Sequence, residues 1–375
     1  MKIISAMDSM KGSLTSIEAN RIIKEVFQDE QIEVKEIAIA DGGEGTVEAF
    51  VENINGAYEN VTVHNLIGER VATTFGWVEE SKTAIIESAA TTGIQFVDFT
   101  EKTHPKNTSS IGVGEMILKA LDKQSKTIII GLGGTGTVDG GIGALAVLGA
   151  FFYNTKGEKL EPLGNNLNQI SRIDKKKLDP RLKNTTIIVA ADVVSTLTGP
   201  DGAVHMFGLQ KGILPRELNL YEQAMESYRS ILLENKEDQP GDGAAGGIGA
   251  AFRIILNAEV VSGIELIAKQ VQLEKLLEDA DLVITGEGKM DNQTLQGKVP
   301  IGISRLSKEF GIPTIAFVGE FTGDPSAFKE AGIQSIIPVI DSITTMEEAM
   351  QSAGEILKRT AQRTKELILL LHGTH

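Results

Sequence analysis

The chain has 375 residues, of which 41% are hydrophobic and 23% charged, with a formal net charge of −15 at pH 7 and no cysteine. This length and apolar content can bury a large core and favour two domains over one. The acidic excess argues against nucleic acid or an anionic membrane as partner, and the lack of thiols excludes disulfides and thiolate nucleophiles within the chain.

The apolar pattern predicts an α/β protein, with short buried strands and helices between most of them. The first helix is typical, because Thr15 and Glu18 have capping-box spacing and Ile22, Ile23 and Val26 lie on one apolar stripe. Residues 346–371 read as one long amphipathic helix, which would serve the core or a homodimer contact. The predicted strands are 2–7, 34–40, 83–87, 126–132, 185–191, 281–285, 313–318 and 335–339.

Residues 57–87 break this pattern, because apolar and polar residues alternate on both sides of a turn at 67–69, which predicts an antiparallel hairpin. The change from βα units to a hairpin indicates entry into a second domain. The return of βα units by about residue 281 indicates that the chain re-enters the first domain.

No charged stretch followed by an apolar core opens the chain, so no secretory signal is visible. The longest apolar run, 142–153, is shorter than the roughly 20 residues that span a bilayer and is predicted to be a buried helix. These features favour a cytoplasmic protein without a membrane partner.

The segment 280–298, ADLVITGEGKMDNQTLQGK, carries the strongest site signal. An apolar strand runs into a predicted turn that contains Gly286, Glu287, Gly288 and Asp291. In open α/β sheets ligands bind at the carboxyl ends of strands, where glycines let backbone amides approach a phosphate. An ordinary strand-to-helix turn is the alternative interpretation.

The same arrangement recurs at 3–13, 37–46, 128–141 and 187–202. We therefore expect five aspartates to gather with lysines at one edge of a sheet. The aspartates are Asp8, Asp41, Asp139, Asp192 and Asp291. Carboxylates suit Mg²⁺, while glycine-loop amides and Lys11, Lys211 and Lys298 would offset the charge of an anionic substrate.

These motifs, in this order, resemble the bacterial type I glycerate kinase family (glycerate 2-kinase-like) over essentially the whole chain. The matching motifs are DSMKGSLTSIEA (8–19), ADGGEGT (40–46), GVGE (112–115), GGTGTVDGG (133–141), FGLQKG (207–212), GAAGG (243–247) and ITGEGKMDNQTLQGK (284–298). The resemblance implies phosphorylation of D-glycerate with ATP and Mg²⁺, with 2-phosphoglycerate favoured over 3-phosphoglycerate as product.

The resemblance also implies a fold. A parallel-sheet, Rossmann- or flavodoxin-like domain would comprise 1–60 and 281–375. A mixed α/β domain, 61–280, would be inserted in it. The active site would lie in the cleft between the two domains.

Each candidate site residue has a proposed role and a structural alternative. Asp192 is the predicted acceptor of the hydroxyl proton, and Asp8 and Asp291 are the predicted metal ligands, although aspartates at strand ends also cap helices. Lys11 and Lys298 are predicted to contact phosphate or carboxylate, or else to be solvated. The predicted substrate and phosphate contacts, or turn and cap residues, are Ser9, Ser13, Gly42, Gly43, Gly133, Gly134, Thr135, Thr137, Gly286, Glu287, Gly288 and Thr294.

Two departures from the family pattern keep other functions open. Val138 stands where the family usually has asparagine, and Val194 begins a stretch where it usually has an asparagine-proline pair. The alternatives are a Mg²⁺-dependent phosphatase or other hydroxy-acid enzyme that uses the same carboxylates, and a catalytically silent binding protein.

Overall fold

The computed structural model describes residues 1–40 and 42–372 and confirms the α/β class. Among the described residues, two larger sheets and one two-stranded sheet are formed. The strands are β1 Lys2–Met7, β2 Glu33–Glu36, β3 Ala57–His64, β4 Arg70–Val78, β5 Thr83–Glu87, β6 Thr127–Gly131, β7 Phe151–Tyr153, β8 Arg172–Asp174, β9 Thr186–Ala190, β10 Glu259–Val261, β11 Leu282–Asp291, β12 Thr314–Thr322 and β13 Ile333–Pro338.

The helices lie mostly between these strands. They are α1 Ser16–Phe27, α2 Thr46–Asn53, α3 Ala89–Thr92, α4 Ile111–Asp122, α5 Ile142–Val147, α6 Ala203–Phe207, α7 Leu218–Leu233, α8 Ala244–Ile255, α9 Gly263–Gln270, α10 Leu273–Leu277, α11 Val299–Glu309, α12 Pro325–Glu330, α13 Met346–Gln351 and α14 Ala353–His372.

The first sheet has the strand order β13-β12-β11-β1-β2, and every neighbouring pair is parallel. Its inner strands β1 and β11 are largely buried on both faces because helices cover the sheet, whereas the edge strands β2 and β13 carry exposed polar residues. The capping box of Thr15 and Glu18 starts α1, which buries Ile23 and Phe27 with Leu357 of α14. Full burial of each such side chain contributes on the order of 2 kcal/mol.

The central strand β11 is longer than the sequence predicts. Its pairing with β12 continues through Gly286↔Phe317 and Lys289↔Glu320 as far as Asp291↔Thr322. The prediction that Gly286, Glu287 and Gly288 lie in a turn is therefore wrong, because they belong to the strand. Glycine is needed there, since a Cβ on Gly286 would lie 2.0 Å from the carbonyl oxygen of Phe317.

The second sheet is mixed, with the order β10-β9-β6-β5-β4-β3. Strands β3 and β4 form the predicted antiparallel hairpin, in which Val61 pairs with Thr73. Strands β5, β6, β9 and β10 run parallel. Helices α4, α5, α7 and α8 contribute to one apolar core against this sheet, centred on residues such as Ile130, Leu145 and Phe252.

Two predicted helices differ from the structure. The apolar run 142–153 is a helix only over Ile142–Val147, because Gly149 has a φ of +101° and the chain then enters β7. The predicted helix 346–371 is two helices, since α13 ends at Gln351 and α14 begins at Ala353.

The described chain divides into two compact units. The first comprises 1–40, 48–54 and 264–372, and the second comprises 42–47 and 55–263. The sequence places the changes after 60 and 280, whereas the units change after 54 and 263. That the units are separate domains with the active site in a cleft stays a prediction.

Candidate functional site

A cavity of about 320 Å³ opens in the first unit beside the carboxyl ends of β1, β11 and β12. It has a charged side and an apolar side. The charged and polar lining residues are Asp8, Ser9, Lys11, Ser13, Glu287, Gly288, Lys289, Lys298, Gly319 and Glu320. The apolar ones are Met10, Val339, Ile340, Met346, Ala349, Met350, Ala353 and Ile356.

Two carboxylates stand side by side on the charged side. Met7 pairs with Gly286 in the parallel register of β1 and β11, so the next residues, Asp8 and Glu287, are neighbours. The amide of Asp8 donates to the carbonyl oxygen of Gly286, and the amide of Ser9 donates to Asp8 Oδ1, each over a short distance (2.9 and 2.7 Å). Both carboxylates are buried.

Glu287 is held by one hydroxyl and one lysine. Thr294 Oγ1 donates to its Oε1 at 2.7 Å, and Lys298 Nζ lies 3.6 Å from its Oε2. Burial raises the pKa of Glu287, and these two partners offset part of that rise. A buried carboxylate favours a cation beside it, and Lys298 supplies one here.

Three lysines line the cavity from different elements. Lys11 is exposed on the tight turn closed by reciprocal amide bonds between Met10 and Leu14, where Ser13 Oγ donates to the carbonyl oxygen of Met10. Lys298 is the N-cap of α11. Lys289 extends from β11, with its Nζ 3.7 Å from Glu320 Oε1. All three ammonium groups keep solvent access.

These residues fit Mg²⁺ bound together with phosphate. Among the described residues, no group of three or more histidine, cysteine, aspartate or glutamate side chains is arranged to hold a metal. Mg²⁺ usually takes one or two protein carboxylates and completes its shell with water and substrate phosphates. Asp8 and Glu287 supply that number of carboxylates on neighbouring strands.

In the second unit, glycines serve close backbone packing. The amide of Gly133 donates to the carbonyl oxygen of Gly42 at 3.0 Å, and a Cβ on Gly133 would lie 2.4 Å from the Cα of Gly43. The carbonyl oxygen of Gly134 accepts from the Ile94 amide. A side chain at Gly133 would push the 133–141 loop away from the 42–46 segment.

Asp139 lies at the centre of the second glycine-rich loop and is fully buried. Its carboxylate accepts hydrogen bonds from the Ser110 amide and hydroxyl, both at 2.7 Å, and from the amides of Gly141 and Gly143. Burial raises its pKa, while these donors act against the rise. Asp139 therefore organises the loop and is closed to a ligand.

Lys211 of the FGLQKG motif is also buried, with 3% of its surface exposed. Its Nζ donates to Thr135 Oγ1 and to the carbonyl oxygen of Thr137, both at 3.2 Å. Burial lowers its pKa from 10.5 to about 7, although the charge of Asp139 favours the ammonium form. Thr137 Oγ1 is buried without a hydrogen-bond partner among the described residues.

Asp192 follows β9, and its Oδ1 accepts from the Gly263 amide at 3.1 Å, which ties the end of β9 to the start of α9. Its neighbour Ser195 is buried. Asp192 is partly accessible as a residue, although its Oδ2 is buried.

Comparison with known proteins identifies the family of this chain. The sequence profile of the Glycerate kinase family matches residues 3–369. The chain is 41% identical to a glycerate 2-kinase of Escherichia coli K12 and 38% identical to a glycerate kinase of Bacillus subtilis 168, with 96% of each chain covered in both cases. This chain belongs to the glycerate kinase family. The resemblance drawn from the motifs is thereby confirmed, as is the expectation of an enzyme of the kinase class.

A solved structure supports the assignment to the glycerate kinase family. The crystal structure assigned to glycerate kinase 2 of Salmonella typhimurium LT2 is similar to the whole chain, with a TM-score of 0.86 and 37% identity. The likeness covers 100% of this chain and 99% of that one. Separately, no helix in the described part of the chain has the length and apolarity of a membrane span.

The family's motif residues do not all meet at one sheet. The expectation that Asp8, Asp139, Asp192 and Asp291 gather at one sheet edge is wrong, because Asp8 and Asp291 belong to the first sheet and the other two to the second. Asp41 lies outside the described residues. The strand-end pattern identifies carboxyl ends but carries no information about which sheet a strand joins.

The cavity of the first unit brings together several of the predicted residues. Asp8, Ser9, Lys11, Ser13, Glu287, Gly288 and Lys298 all line it. Asp291 and Thr294 are not among its lining residues. Instead, Asp291 Oδ1 accepts from the Gln293 amide, and Thr294 holds Glu287. The metal and catalytic roles of these residues stay predictions.

Sequence reasoning missed part of the lining. Glu320 stands in the same sequence pattern as Glu287, because a Gly-Glu pair follows an apolar run in both VITGE and AFVGE. Met346 and Met350 are four positions apart, which puts them on one face of α13, whereas the sequence predicts core or dimer contact for this segment. The two valines that depart from the family pattern have different environments. Val138 is fully buried in the core of the second unit, and Val194 is exposed.

Proposed function

We propose that the protein transfers the γ-phosphoryl group of ATP to the 2-hydroxyl of D-glycerate and releases ADP and 2-phosphoglycerate. The observation that carries the proposal is the cavity of the first unit, where the carboxylates of Asp8 and Glu287 are combined with three accessible lysines at the carboxyl ends of parallel strands. Membership of the glycerate kinase family supports the reaction. The name of the E. coli relative, glycerate 2-kinase, supports the choice of hydroxyl.

In the proposed reaction the phosphoryl group passes directly between the substrates, and the protein forms no covalent bond to it. The glycerate hydroxyl oxygen bonds to the γ-phosphorus, the bond to the β,γ-bridging oxygen breaks, and the hydroxyl proton passes to a carboxylate. Catalysis is then mainly positioning and stabilisation of charge on the phosphoryl oxygens. Lys11 and Lys298 are the cations proposed to neutralise that charge.

The metal part of the proposal rests on Asp8 and Glu287. When bound, Mg²⁺ would neutralise the β- and γ-phosphate oxygens. The two carboxylates would hold it from neighbouring strands. Lys298, which lies 3.6 Å from Glu287, would keep that carboxylate charged and oriented.

Asp192 is the proposed acceptor of the hydroxyl proton. Its Oδ1 is oriented by the Gly263 amide, and the polar Ser195 and Thr196 follow it closely in the chain. Asp192→Asn keeps the oxygen that accepts this hydrogen bond and removes the basic charge. We expect turnover to fall by about 10³-fold without loss of fold, because general-base catalysis contributes on that order. Asp174→Asn, at a partly exposed position in the same unit, is the control, and unchanged turnover by Asp192→Asn would remove that residue from the mechanism.

The proposal is tested by ³¹P NMR of the product. Wild-type protein is incubated with ATP, Mg²⁺ and D-glycerate, with L-glycerate, no acceptor and excess chelator as controls. The proposal predicts 2-phosphoglycerate together with ADP, and loss of both with chelator. 3-Phosphoglycerate would overturn the assignment of the hydroxyl.

The alternative functions would be recognised by different products or by the absence of product. Release of inorganic phosphate from phosphoglycerate in the absence of nucleotide would identify a phosphatase. Binding of D-glycerate without any ADP would identify a silent binding protein. Neither alternative is favoured by a particular feature of the described residues. The cytoplasmic location and the homodimer expected from the sequence stay predictions.

A further inference from the structure

The apolar side of the first-unit cavity is larger than the reaction at its charged side requires. Six of its eight residues, three methionines and three aliphatic residues, form what we call the methionine wall: Met10, Val339, Ile340, Met346, Ala349 and Met350. D-glycerate has only about seven non-hydrogen atoms, most of them polar oxygens, so the wall offers it almost no complementary surface. A cavity of about 320 Å³ suits a larger ligand with an apolar part.

The wall is assembled from three separate segments of the chain. Met10 comes from the turn after β1, Val339 and Ile340 follow β13, and Met346 and Met350 lie one helical turn apart on α13. The capping box of Thr345 and Glu348 fixes the start of that helix.

Met350 closes the wall against the turn that carries Lys11. A Cβ on Gly12 would lie 2.6 Å from Met350 Cε, so the methionine methyl rests on the glycine of this turn. Gly12 has a φ of +81°, which a side chain would strain. The apolar wall and the cationic turn are therefore adjacent parts of one surface.

The exposure of the wall also points to a ligand. Ile340, Met346 and Met350 are exposed by 40%, 68% and 37%, although apolar residues of this size are usually covered. Methionine sulfur is polarisable and packs well against the faces of aromatic rings. A flat heterocycle against the wall would cover these side chains.

We propose that this cavity is the nucleotide site, with the adenine ring against the methionine wall and the phosphates directed to Lys11, Lys289 and Lys298. The inference rests on the proposed function for the identity of the nucleotide. It goes beyond that function by assigning the base to a particular surface, built largely from the C-terminal segment 339–356. A nucleoside triphosphate combines a flat base with an anionic chain, and the cavity has an apolar side and a charged side that carries three lysines.

The test is calorimetric binding of ADP and of inorganic tripolyphosphate to the full chain without glycerate. Met350→Glu places a charge on the wall, and we expect it to weaken ADP binding by about tenfold or more, since a charge buried against a base costs at least 1.4 kcal/mol. Tripolyphosphate has no base, so we expect its affinity to change by about threefold or less, through weak repulsion alone.

Two further variants make the test specific. Met346→Ser removes apolar surface without adding charge and is expected to weaken ADP binding by about threefold to tenfold. Leu367→Glu is the matched control, because this leucine is 58% exposed on α14 of the same unit and does not line the cavity. It should bind ADP like the wild type, and thermal unfolding checks that every variant is folded.

The outcomes separate this inference from the proposed function. If Met350→Glu and Met346→Ser leave ADP affinity unchanged while the wild type phosphorylates D-glycerate, the nucleotide assignment is overturned and the function stands. A rise in KM for D-glycerate with unchanged KM for ATP would likewise overturn the assignment, since the wall would then bind the acceptor. If both variants weaken ADP binding but the wild type does not use D-glycerate, the nucleotide site stands and the proposed acceptor is wrong.

Discussion

Two carboxylate–lysine arrangements in this chain look alike in sequence and differ in the structure. Glu287 and Lys298 belong to GEGKMDNQTLQGK in the first unit, while Asp139 and Lys211 belong to GGTGTVDGG and FGLQKG in the second. The first pair lines a cavity, and its lysine is partly solvated. The second pair is buried, and its carboxylate is satisfied by backbone amides and a serine.

This difference separates a chemical role from a structural one. A carboxylate that already accepts four hydrogen bonds has little capacity for a ligand, and its removal leaves buried donors without partners. A carboxylate beside an accessible lysine can exchange that partner for a metal or a phosphate-bound cation. Mutations should therefore affect stability at the second pair and turnover at the first.

The largest expected effect is at Asp139. Asp139→Ala removes the acceptor of four hydrogen bonds in a fully buried loop, and we expect a loss of about 3–5 kcal/mol in the free energy of unfolding. Urea denaturation measures this loss. Asp174→Ala is the control, since that carboxylate accepts one backbone amide bond and is partly exposed. A loss below about 1 kcal/mol for Asp139→Ala would contradict its structural role.

The next largest effect is expected on turnover when Lys298 is replaced. Lys298→Met removes a cation from the transferred phosphoryl group, and we expect kcat to fall by about 100-fold with less than about 1 kcal/mol change in stability. Lys308→Met is the matched control, because this lysine is exposed on the same helix and does not line the cavity that contains Lys298. Equal kinetics for the two variants would show that Lys298 has no part in catalysis.

A third prediction concerns the pH dependence of stability. The folded state lowers the pKa of Lys211 from 10.5 to about 7, so the unfolded chain binds more protons between these values. The contribution of Lys211 to the free energy of unfolding should therefore rise with pH by about 1.4 kcal/mol per unit through this window. Urea denaturation at several pH values should show this extra slope in the wild type and not in Lys211→Met. Parallel slopes would mean that the folded ammonium titrates normally.

The smallest effect is expected at Lys289. Its contact with Glu320 is half-exposed, so Lys289→Ala should change the free energy of unfolding by less than about 0.5 kcal/mol. If it contributes charge to the nucleotide phosphates, KM for ATP should rise by about threefold at low salt, and the difference should shrink as salt screens the charge. A difference that is independent of salt would indicate a role other than charge.

Much of the fold follows from the sequence because it depends on local pattern. The buried strands, the capping box of α1 and the hairpin of β3 and β4 each have a periodicity or cap that is visible in a short window. The extension of β11 to Asp291 has no such local signal. Gly286 and Gly288 are poor strand formers and stay in the sheet through pairing with β12. The split near Ser352 is likewise a tertiary feature.

The site follows from the sequence only in part, for a related reason. The motifs that contain Asp8, Glu287 and Lys298 indicate ligand chemistry in the sequence, and these three residues do meet at one cavity. Accessibility is not a local property, so the sequence alone does not distinguish the buried Asp139 and Lys211 from residues that can bind a ligand. The methionine wall had no sequence signal beyond the spacing of Met346 and Met350.

The central claim is tested most directly by steady-state ADP release from ATP and Mg²⁺ with D-glycerate, L-glycerate or no acceptor. We predict release that depends on D-glycerate, is retained by Lys308→Met and falls by about 100-fold in Lys298→Met. A folded wild-type protein that releases no ADP with D-glycerate, or releases it equally without an acceptor, would contradict the claim.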